Sequence, residues 1–141
     1  MKSVSIIYSN EMSGGYKEND RYELLSGDSI YYTEDLLGFK FTVSPFAFFQ
    51  VNTNVFEKML KEISEFLQIK EDTIVFDVCC GTGAIGICLS KSAKKVVGFE
   101  LVEAAVENAK ENVKMNGGII DEDKCEYYAG RAENLLPDVA K

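Results

Sequence analysis

The segment VFDVCCGTGAIGI, from Val75 to Ile87, joins an apolar run to a glycine-rich turn. Beginning at Gly81 it spells Gly-x-Gly-x-x-Gly, which is typical of the strand-to-helix turn in dinucleotide-binding folds. The nearly continuous apolar run at residues 73–78 predicts a strand buried on both faces, and the residues after the turn predict a helix from about 84 to 92. The segment therefore predicts a strand, a tight turn and a helix that together could hold a ligand.

The same alternation of elements continues towards the carboxyl terminus. Residues 94–100 (KKVVGFE) predict a second buried strand, 103–116 a helix ended by Gly117 and Gly118, and 124–130 (KCEYYAG) a third strand. Strand, helix, strand, helix and strand in this order make half of a doubly wound parallel sheet. We therefore predict an α/β fold of the Rossmann-like type, of which this chain holds a part.

The amino-terminal part predicts short strands followed by one helix. The run VSIIY alternates as a short strand does, whereas the polar segment SNEMSGGYKENDR predicts a loop. Residues 29–34 and 39–43 predict the two strands of a hairpin. Apolar residues at helical spacing then predict a helix capped by Thr53 or Asn54 and running roughly to residue 68.

The composition limits the classes of function. The chain has 141 residues, 46% of them hydrophobic, which suits one globular unit. Its 15 basic and 23 acidic residues give a net charge of −8, so the chain as a whole would repel a phosphate backbone. The sequence has no apolar run that could span a bilayer, no histidine and no C-x-x-C pair. We therefore expect a soluble protein of the cytoplasm or nucleus, with no metal site and no membrane partner.

The charge beside the glycine turn favours one cofactor over another. Asp77 stands at the end of the first predicted strand, where a dinucleotide would bring its negatively charged pyrophosphate. S-adenosylmethionine carries a net positive charge, which the same carboxylate would attract. Glu100 ends the second predicted strand, where a carboxylate can accept hydrogen bonds from both ribose hydroxyls of either cofactor. Asp77 and Glu100 together support a ribose-containing ligand, and Asp77 favours the methyl donor.

The cysteines are predicted to be packing or lining groups rather than nucleophiles. Cys79 and Cys80 have no lysine, arginine or histidine near them in sequence to lower the pKa of a thiol. Cys88 is expected inside a helix and Cys125 on the sheet. None of the four cysteines is therefore expected to act as a nucleophile.

Four segments together resemble the tRNA (uracil-5-)-methyltransferase family, and its eukaryotic members most: EDLLGFKFTVSPFAFFQVNT, FDVCCGTGAIGICL, VVGFELVEAAVENAKEN and GRAENLLP. The resemblance covers most of residues 30–137. It implies a class I S-adenosylmethionine-dependent methyltransferase fold and transfer of a methyl group to C5 of uridine in tRNA. It also implies that tRNA contacts parts of the enzyme outside this chain.

The resemblance implies roles for single residues as well. Gln50 would contact the cofactor, and the loop from Cys79 to Gly83, with Gly81, would wrap its methionine part. Glu100 would hold the ribose, and Ala132 would lie near the adenine.

The family's nucleophilic cysteine and its general-base glutamate are expected beyond Lys141, so this chain alone is expected to be inactive. A fourth strand beside residues 73–78 is expected beyond the chain too, which would leave an open edge for self-association. We expect residues 1–52 to be a β-rich segment and residues 53–141 to be the cofactor-binding half-domain.

Two other interpretations stay open at this point. The glycines Gly81, Gly83 and Gly86 could belong to a nicotinamide- or flavin-dependent oxidoreductase. Alternatively, the chain could be a non-catalytic module that keeps the fold without its chemistry.

Overall fold

The computed structural model describes residues 4–8, 20–45 and 47–139. The elements in chain order are β1 (Val4–Tyr8), β2 (Arg21–Ser26), β3 (Tyr32–Leu36), β4 (Phe39–Val43), α1 (Thr53–Phe66), β5 (Ile74–Val78), α2 (Ala84–Ser90), β6 (Lys95–Glu100), α3 (Glu103–Met115), a 3₁₀ turn (Glu122–Lys124), β7 (Cys125–Ala129) and α4 (Ala132–Val139). β1 pairs with β2 and β3 with β4, both antiparallel, and β5, β6 and β7 form a parallel sheet in that order. The predicted alternation of strands and helices after residue 73 is confirmed.

The parallel sheet brings the ends of its strands to one edge, as parallel pairing requires. Asp77 of β5 lies opposite Gly98 of β6, and Glu100 of β6 lies opposite Ala129 of β7. Helices α2 and α3 connect the three strands and pack on the sheet. The glycine turn and Glu100 therefore meet at the carboxyl edge of the sheet.

The edge strand β5 is less buried than its apolar sequence predicts. Ile74, Phe76 and Val78 point to one face of the sheet and keep 50%, 40% and 48% of their surface exposed. Among the described residues β5 pairs with β6 alone, so its other edge is open. The prediction of a strand buried on both faces is wrong, because no described element covers this face of β5.

The hairpin β3–β4 shares a hydrophobic core with the helices. The buried residues of this core come from both sides of residue 52, the boundary expected from the sequence: Leu36, Phe39, Phe41, Val43, Phe56, Leu60, Cys80, Ile87, Cys88, Val106, Ala109, Val113, Ile120 and Tyr127. The hairpin is consequently fixed against α2 and α3. This contact holds the segment that follows β4 near the glycine turn.

Several local features differ from the sequence-based predictions. β2 was not predicted, because all six of its residues are exposed and backbone pairing with β1, rather than burial, forms it. The cap of α1 is Asn52, whose Oδ1 accepts a hydrogen bond from the N–H of Val55 at 3.1 Å, so the cap lies before the predicted Thr53 or Asn54. The short helix α4 was not predicted either; it contains Pro137, which interrupts helical patterns.

Some of the segments with predicted features lie outside the described residues. Most of the predicted loop at residues 9–21 and the aromatic Phe46 lie outside them. Within the described ranges, no helix has the length and apolar character needed to cross a membrane. The same ranges contain no cluster of three or more side chains suited to hold a metal ion.

Candidate functional site: a cavity at the carboxyl edge of the sheet

A cavity of about 700 Å³ lies where β5 and β6 end. The segment after β4 forms one wall, the turn at 79–83, here called the glycine loop, forms the second, and the start of α3 forms the third. Its lining residues are Ser44, Ala47, Phe48, Phe49, Gln50, Phe56, Cys79, Cys80, Gly81, Thr82, Ala84, Ile85, Glu100, Val102, Ala104, Ala105 and Asn108. Four of the residues predicted from the sequence are therefore brought together here: Gln50, Cys79, Gly81 and Glu100.

The glycine loop is tight because three of its residues adopt positive φ angles. Cys79, Gly81 and Gly83 have φ of 63°, 55° and 78°. Gly81 lines the cavity, and a Cβ built on it would meet no atom within 4 Å. The backbone at Gly81 is therefore open to a ligand, and Cys79 is exposed beside it in a conformation that costs a non-glycine residue about 1–2 kcal/mol.

The other two glycines of the pattern serve packing rather than the cavity. A Cβ on Gly83 would lie 2.9 Å from Oη of Tyr127, and a Cβ on Gly86 would lie 2.7 Å from Cγ1 of Val96. Both glycines let α2 approach the sheet closely. Gly83 is thus not among the residues that line the cavity, and its role at the cofactor stays a prediction.

Glu100 organises the backbone around the cavity. Its Oε2 accepts from the N–H of Gly81 at 3.0 Å, and its Oε1 accepts from the N–H groups of Leu101 and Val102 at 2.7 and 3.1 Å. A carboxylate offers about four acceptor positions, and these three bonds fill three of them. Glu100 can thus take one further hydrogen bond as it stands, so holding both ribose hydroxyls requires it to release a backbone N–H.

Asp77 lies next to the cavity but does not line it. It is 8% exposed, and its Oδ2 accepts from the N–H of Gly86 at 2.9 Å. Burial raises the pKa of Asp77, an effect that the bond from Gly86 partly offsets. The side chain of Asp77 therefore faces α2 and joins the end of β5 to that helix, and its role beside the cofactor stays a prediction.

Aromatic residues and an amide form the opposite wall. Phe49 is partly buried and packs on Phe41 with ring centroids 5.9 Å apart, whereas Phe48 keeps 79% of its surface exposed. Gln50 is exposed on the cavity wall next to them. Phe49 is therefore a core ring, whereas Phe48 is an exposed ring on the cavity wall.

The buried thiols are protonated. Burial raises the pKa of Cys80 to about 12, with Asp77 and Glu100 adding to the effect, and burial raises the pKa of Cys88 to about 12 as well. The pKa of Cys125 is also raised by burial. Cys88 and the partly buried Cys125 are therefore packing groups, whereas Cys80 also lines the cavity.

Ala132, which was expected near the cofactor, lies outside the cavity lining, whereas the start of α3 lines the cavity without having been singled out from the sequence. Ala132 is the first residue of α4 and does not line the cavity. Ala104, Ala105 and Asn108 of α3 do line it, although the sequence analysis did not single them out. Their spacing of three and four positions puts them on one helix face, so two small residues and an amide following Glu100 were a usable signal.

Comparisons with known proteins identify the family to which this sequence is similar. The family model for tRNA (Uracil-5-)-methyltransferase matches residues 35–122. The tRNA (uracil-5-)-methyltransferase homolog B of Danio rerio is 47% identical over 122 residues, covering 86% of this chain and 24% of that protein. An uncharacterized RNA methyltransferase of Clostridium tetani is 38% identical over 137 residues, covering 96% of this chain and 29% of that protein. The chain thus spans about a quarter of the length of these relatives.

The fold has a counterpart among solved structures. The crystal structure of Pyrococcus abyssi tRNA (uracil-54, C5)-methyltransferase in complex with S-adenosyl-L-homocysteine superimposes with a TM-score of 0.65 and 26% identity, covering 89% of this chain and 30% of that one. The predicted Rossmann-like methyltransferase fold, present in part, is confirmed. The oxidoreductase alternative is wrong, because the family model and these relatives are methyltransferases. This chain belongs to the tRNA (uracil-5-)-methyltransferase family.

Proposed function

We propose that this chain forms the S-adenosylmethionine-binding part of an enzyme that methylates C5 of uridine in tRNA. The observation that carries the proposal is the cavity at the carboxyl edge of the sheet, where Glu100 and Gly81 meet. Its volume of about 700 Å³ falls within the usual range of small-molecule sites, about 300–1,000 Å³. The Pyrococcus abyssi relative, which shares the fold and the family, is described in complex with S-adenosylhomocysteine.

The charge of the cavity fits this cofactor. Among the described residues that line it, Glu100 is the only one with a formal charge at neutral pH. A cavity whose sole charge is negative attracts a cationic ligand and repels a pyrophosphate. We propose that Glu100 supplies the attraction for a cationic ligand that the sequence analysis assigned to Asp77.

The residues of the chain then have separate tasks. Glu100 would accept a hydrogen bond from the ribose while it keeps the glycine loop in shape, and Gln50 would donate or accept at the opposite wall. The open backbone at Gly81 would let the amino-acid part of the cofactor approach. When bound, the cofactor would supply an electrophilic methyl group.

The substrate is the part of the proposal that rests on the family. Family membership supports uridine in tRNA, and the Danio rerio relative carries that activity in its name. Attack on C6 of uracil requires an activated thiolate, whereas burial raises the pKa of Cys80 and of Cys88 to about 12. The exposed Cys79 lies in the loop that is proposed to hold the cofactor, so we do not assign the attack to it. We therefore propose that the nucleophile, the base and the basic RNA-binding surface belong to other parts of the enzyme, which would act in the cytoplasm or the nucleus.

The open edge of β5 supports a proposal about assembly. In the described part of the molecule no strand pairs with the outer edge of β5. The same strand carries three half-exposed apolar side chains, Ile74, Phe76 and Val78. Strand edges of this kind pair readily with another chain. We propose that isolated copies of this chain associate through β5.

Calorimetric titration tests the cofactor assignment. We expect S-adenosylhomocysteine to bind the chain, with no heat from NAD or FAD. Glu100→Ala should weaken the affinity about ten- to a hundredfold, the value of a hydrogen bond to a charged group. Glu103→Ala removes the same charge from an exposed position outside the cavity lining and should change the affinity by no more than about twofold. Binding of NAD without binding of S-adenosylhomocysteine would refute the assignment.

A further inference from the structure

Two buried asparagines, one in α3 and one at its C-cap, hold the edge of β4. Asn112 and Asn116 are 0% and 1% exposed and lie one helical turn apart. Oδ1 of Asn112 accepts from the N–H of Thr42, and Oδ1 of Asn116 accepts from the N–H of Lys40, both at 2.9 Å. Lys40 and Thr42 present their N–H groups on the same edge of β4, so the two side chains take the place of a neighbouring strand there.

The donor sides of the two amides reach different partners. Nδ2 of Asn116 donates back to the carbonyl of Lys40 and to that of Asn112, each at 2.7 Å. Nδ2 of Asn112 instead donates to the carbonyl of Thr82, in the glycine loop, at 3.1 Å. The amide of Asn112 therefore bridges β4 and the glycine loop, whereas the amide of Asn116 holds β4 to α3 alone.

The bridged segments continue into two walls of the cavity. β4 leads directly into Ser44 and the lining segment 47–50, and Thr82 itself lines the cavity on the other side. We propose that Asn112 is a positioning residue that sets the separation of these two walls, and through it the affinity for S-adenosylmethionine. This inference rests on the proposed function, because it assigns Asn112 to the same cavity.

Burial makes the orientation of this amide specific. A buried N–H and a buried carbonyl both need partners, and one primary amide at this position satisfies one of each. A protonated aspartic acid has nearly the same shape, and it also accepts with one oxygen and donates with the other. An aspartate anion only accepts, so it would face the carbonyl of Thr82 without a proton to share.

Asn112→Asp consequently turns the bridge into one that depends on pH, and Asn116→Asp is its matched control. Both changes introduce the same group against the same strand, one in α3 and one at its C-cap, but only the first touches the glycine loop. Tyr127 and Cys80 are buried on the neighbouring strand and loop, and burial raises the pKa of each, so both stay neutral below pH 9. Asp77 also titrates in every variant, and the affinity of the unmodified chain at each pH corrects for its effect.

The experiment measures the dissociation constant of S-adenosylhomocysteine at about pH 5 and about pH 8, on either side of the pKa of a buried carboxyl. For Asn112→Asp we expect an affinity within about threefold of the unmodified chain at the lower pH and a loss of about tenfold or more at the higher pH. For Asn116→Asp we expect the midpoint of thermal unfolding to shift with pH. The ratio of its dissociation constant to that of the unmodified chain should stay nearly the same at both pH values. Equal losses of affinity in both variants, or no loss in a folded Asn112→Asp at the higher pH, would overturn the inference.

Amide exchange gives a second readout that does not need the ligand. Exchange at residues 79–83 should accelerate in Asn112→Asp at the higher pH and stay unchanged in Asn116→Asp. If Asn112→Asp fails to fold there, Asn112→Ser serves instead, since its short hydroxyl cannot reach both Thr42 and Thr82. If the unmodified chain binds no S-adenosylhomocysteine, the proposed function fails, and the exchange data alone decide whether the bridge holds the loop.

Discussion

Gly81→Ala should mainly weaken ligand binding, whereas Gly83→Ala should mainly lower the free energy of unfolding, although both glycines belong to one loop. Both have positive φ, so either alanine incurs about 1–2 kcal/mol of backbone strain, offset by about 0.4–1 kcal/mol from the stiffer unfolded chain. Gly81→Ala adds a methyl group to open space, so we expect a loss of about 1 kcal/mol in unfolding free energy. Gly83→Ala puts its methyl 2.9 Å from Oη of Tyr127 and 3.1 Å from Cβ of Ala109, and overpacking adds about 1–3 kcal/mol.

Urea unfolding and calorimetry with S-adenosylhomocysteine separate the two effects. We expect Gly83→Ala to be less stable than Gly81→Ala by about 1–3 kcal/mol. We expect Gly81→Ala, whose new methyl group stands beside the ligand, to weaken binding at least about tenfold while it stays folded. The reasoning would be refuted if Gly81→Ala lost as much stability as Gly83→Ala, or if it bound the ligand as the unmodified chain does.

Three further predictions follow from individual contacts. Because the pKa of Asp77 is raised by burial, its contribution to stability is present at low pH and lost as pH rises through that pKa; Asp77→Asn keeps an acceptor for Gly86 and should flatten this part of the pH dependence in urea unfolding. An unchanged slope would contradict the burial of a titrating Asp77. In the folded chain, maleimide should label the exposed Cys79 first, with protection by S-adenosylhomocysteine, and leave Cys88 unlabelled at neutral pH; equal labelling would show that Cys88 is accessible. Val78→Lys should shift the self-association of the chain towards monomer in sedimentation, and an unmodified chain that is monomeric at high concentration would disprove association through β5.

The sequence predicts the parts of this fold in which local pattern and packing agree. The strands β5, β6 and β7 and the helices α2 and α3 were predictable, since their apolar periodicity reflects real contacts. The exposure of β5 was not, because the same apolar residues occur in strands covered on both faces and in strands covered on one. β2 escaped prediction because pairing with β1, a non-local contact, forms it without burial.

The candidate site was predicted in composition more than in arrangement. The residue types at Gly81 and Glu100 identified two of the segments that form the cavity, and the family resemblance added the segment of Gln50. The direction of the Asp77 side chain depends on the helix that packs above it, and a strand pattern gives its face but not its hydrogen-bond partner. Asn112 contacts Thr82, 30 positions before it, and Thr42, 70 positions before it, so the local spacing of residues could not predict this bridge.

The most direct test of the account is a map of backbone amide shifts as S-adenosylhomocysteine is added to the labelled chain. We expect the largest changes at Gly81 and Thr82, at residues 100–102 and at Gln50, all of which lie at or beside the large cavity. Changes confined to the smaller cavity of about 170 Å³ near Lys61 and Lys91, or no response to S-adenosylhomocysteine at any concentration, would contradict the claim that the cavity at Glu100 holds the methyl donor.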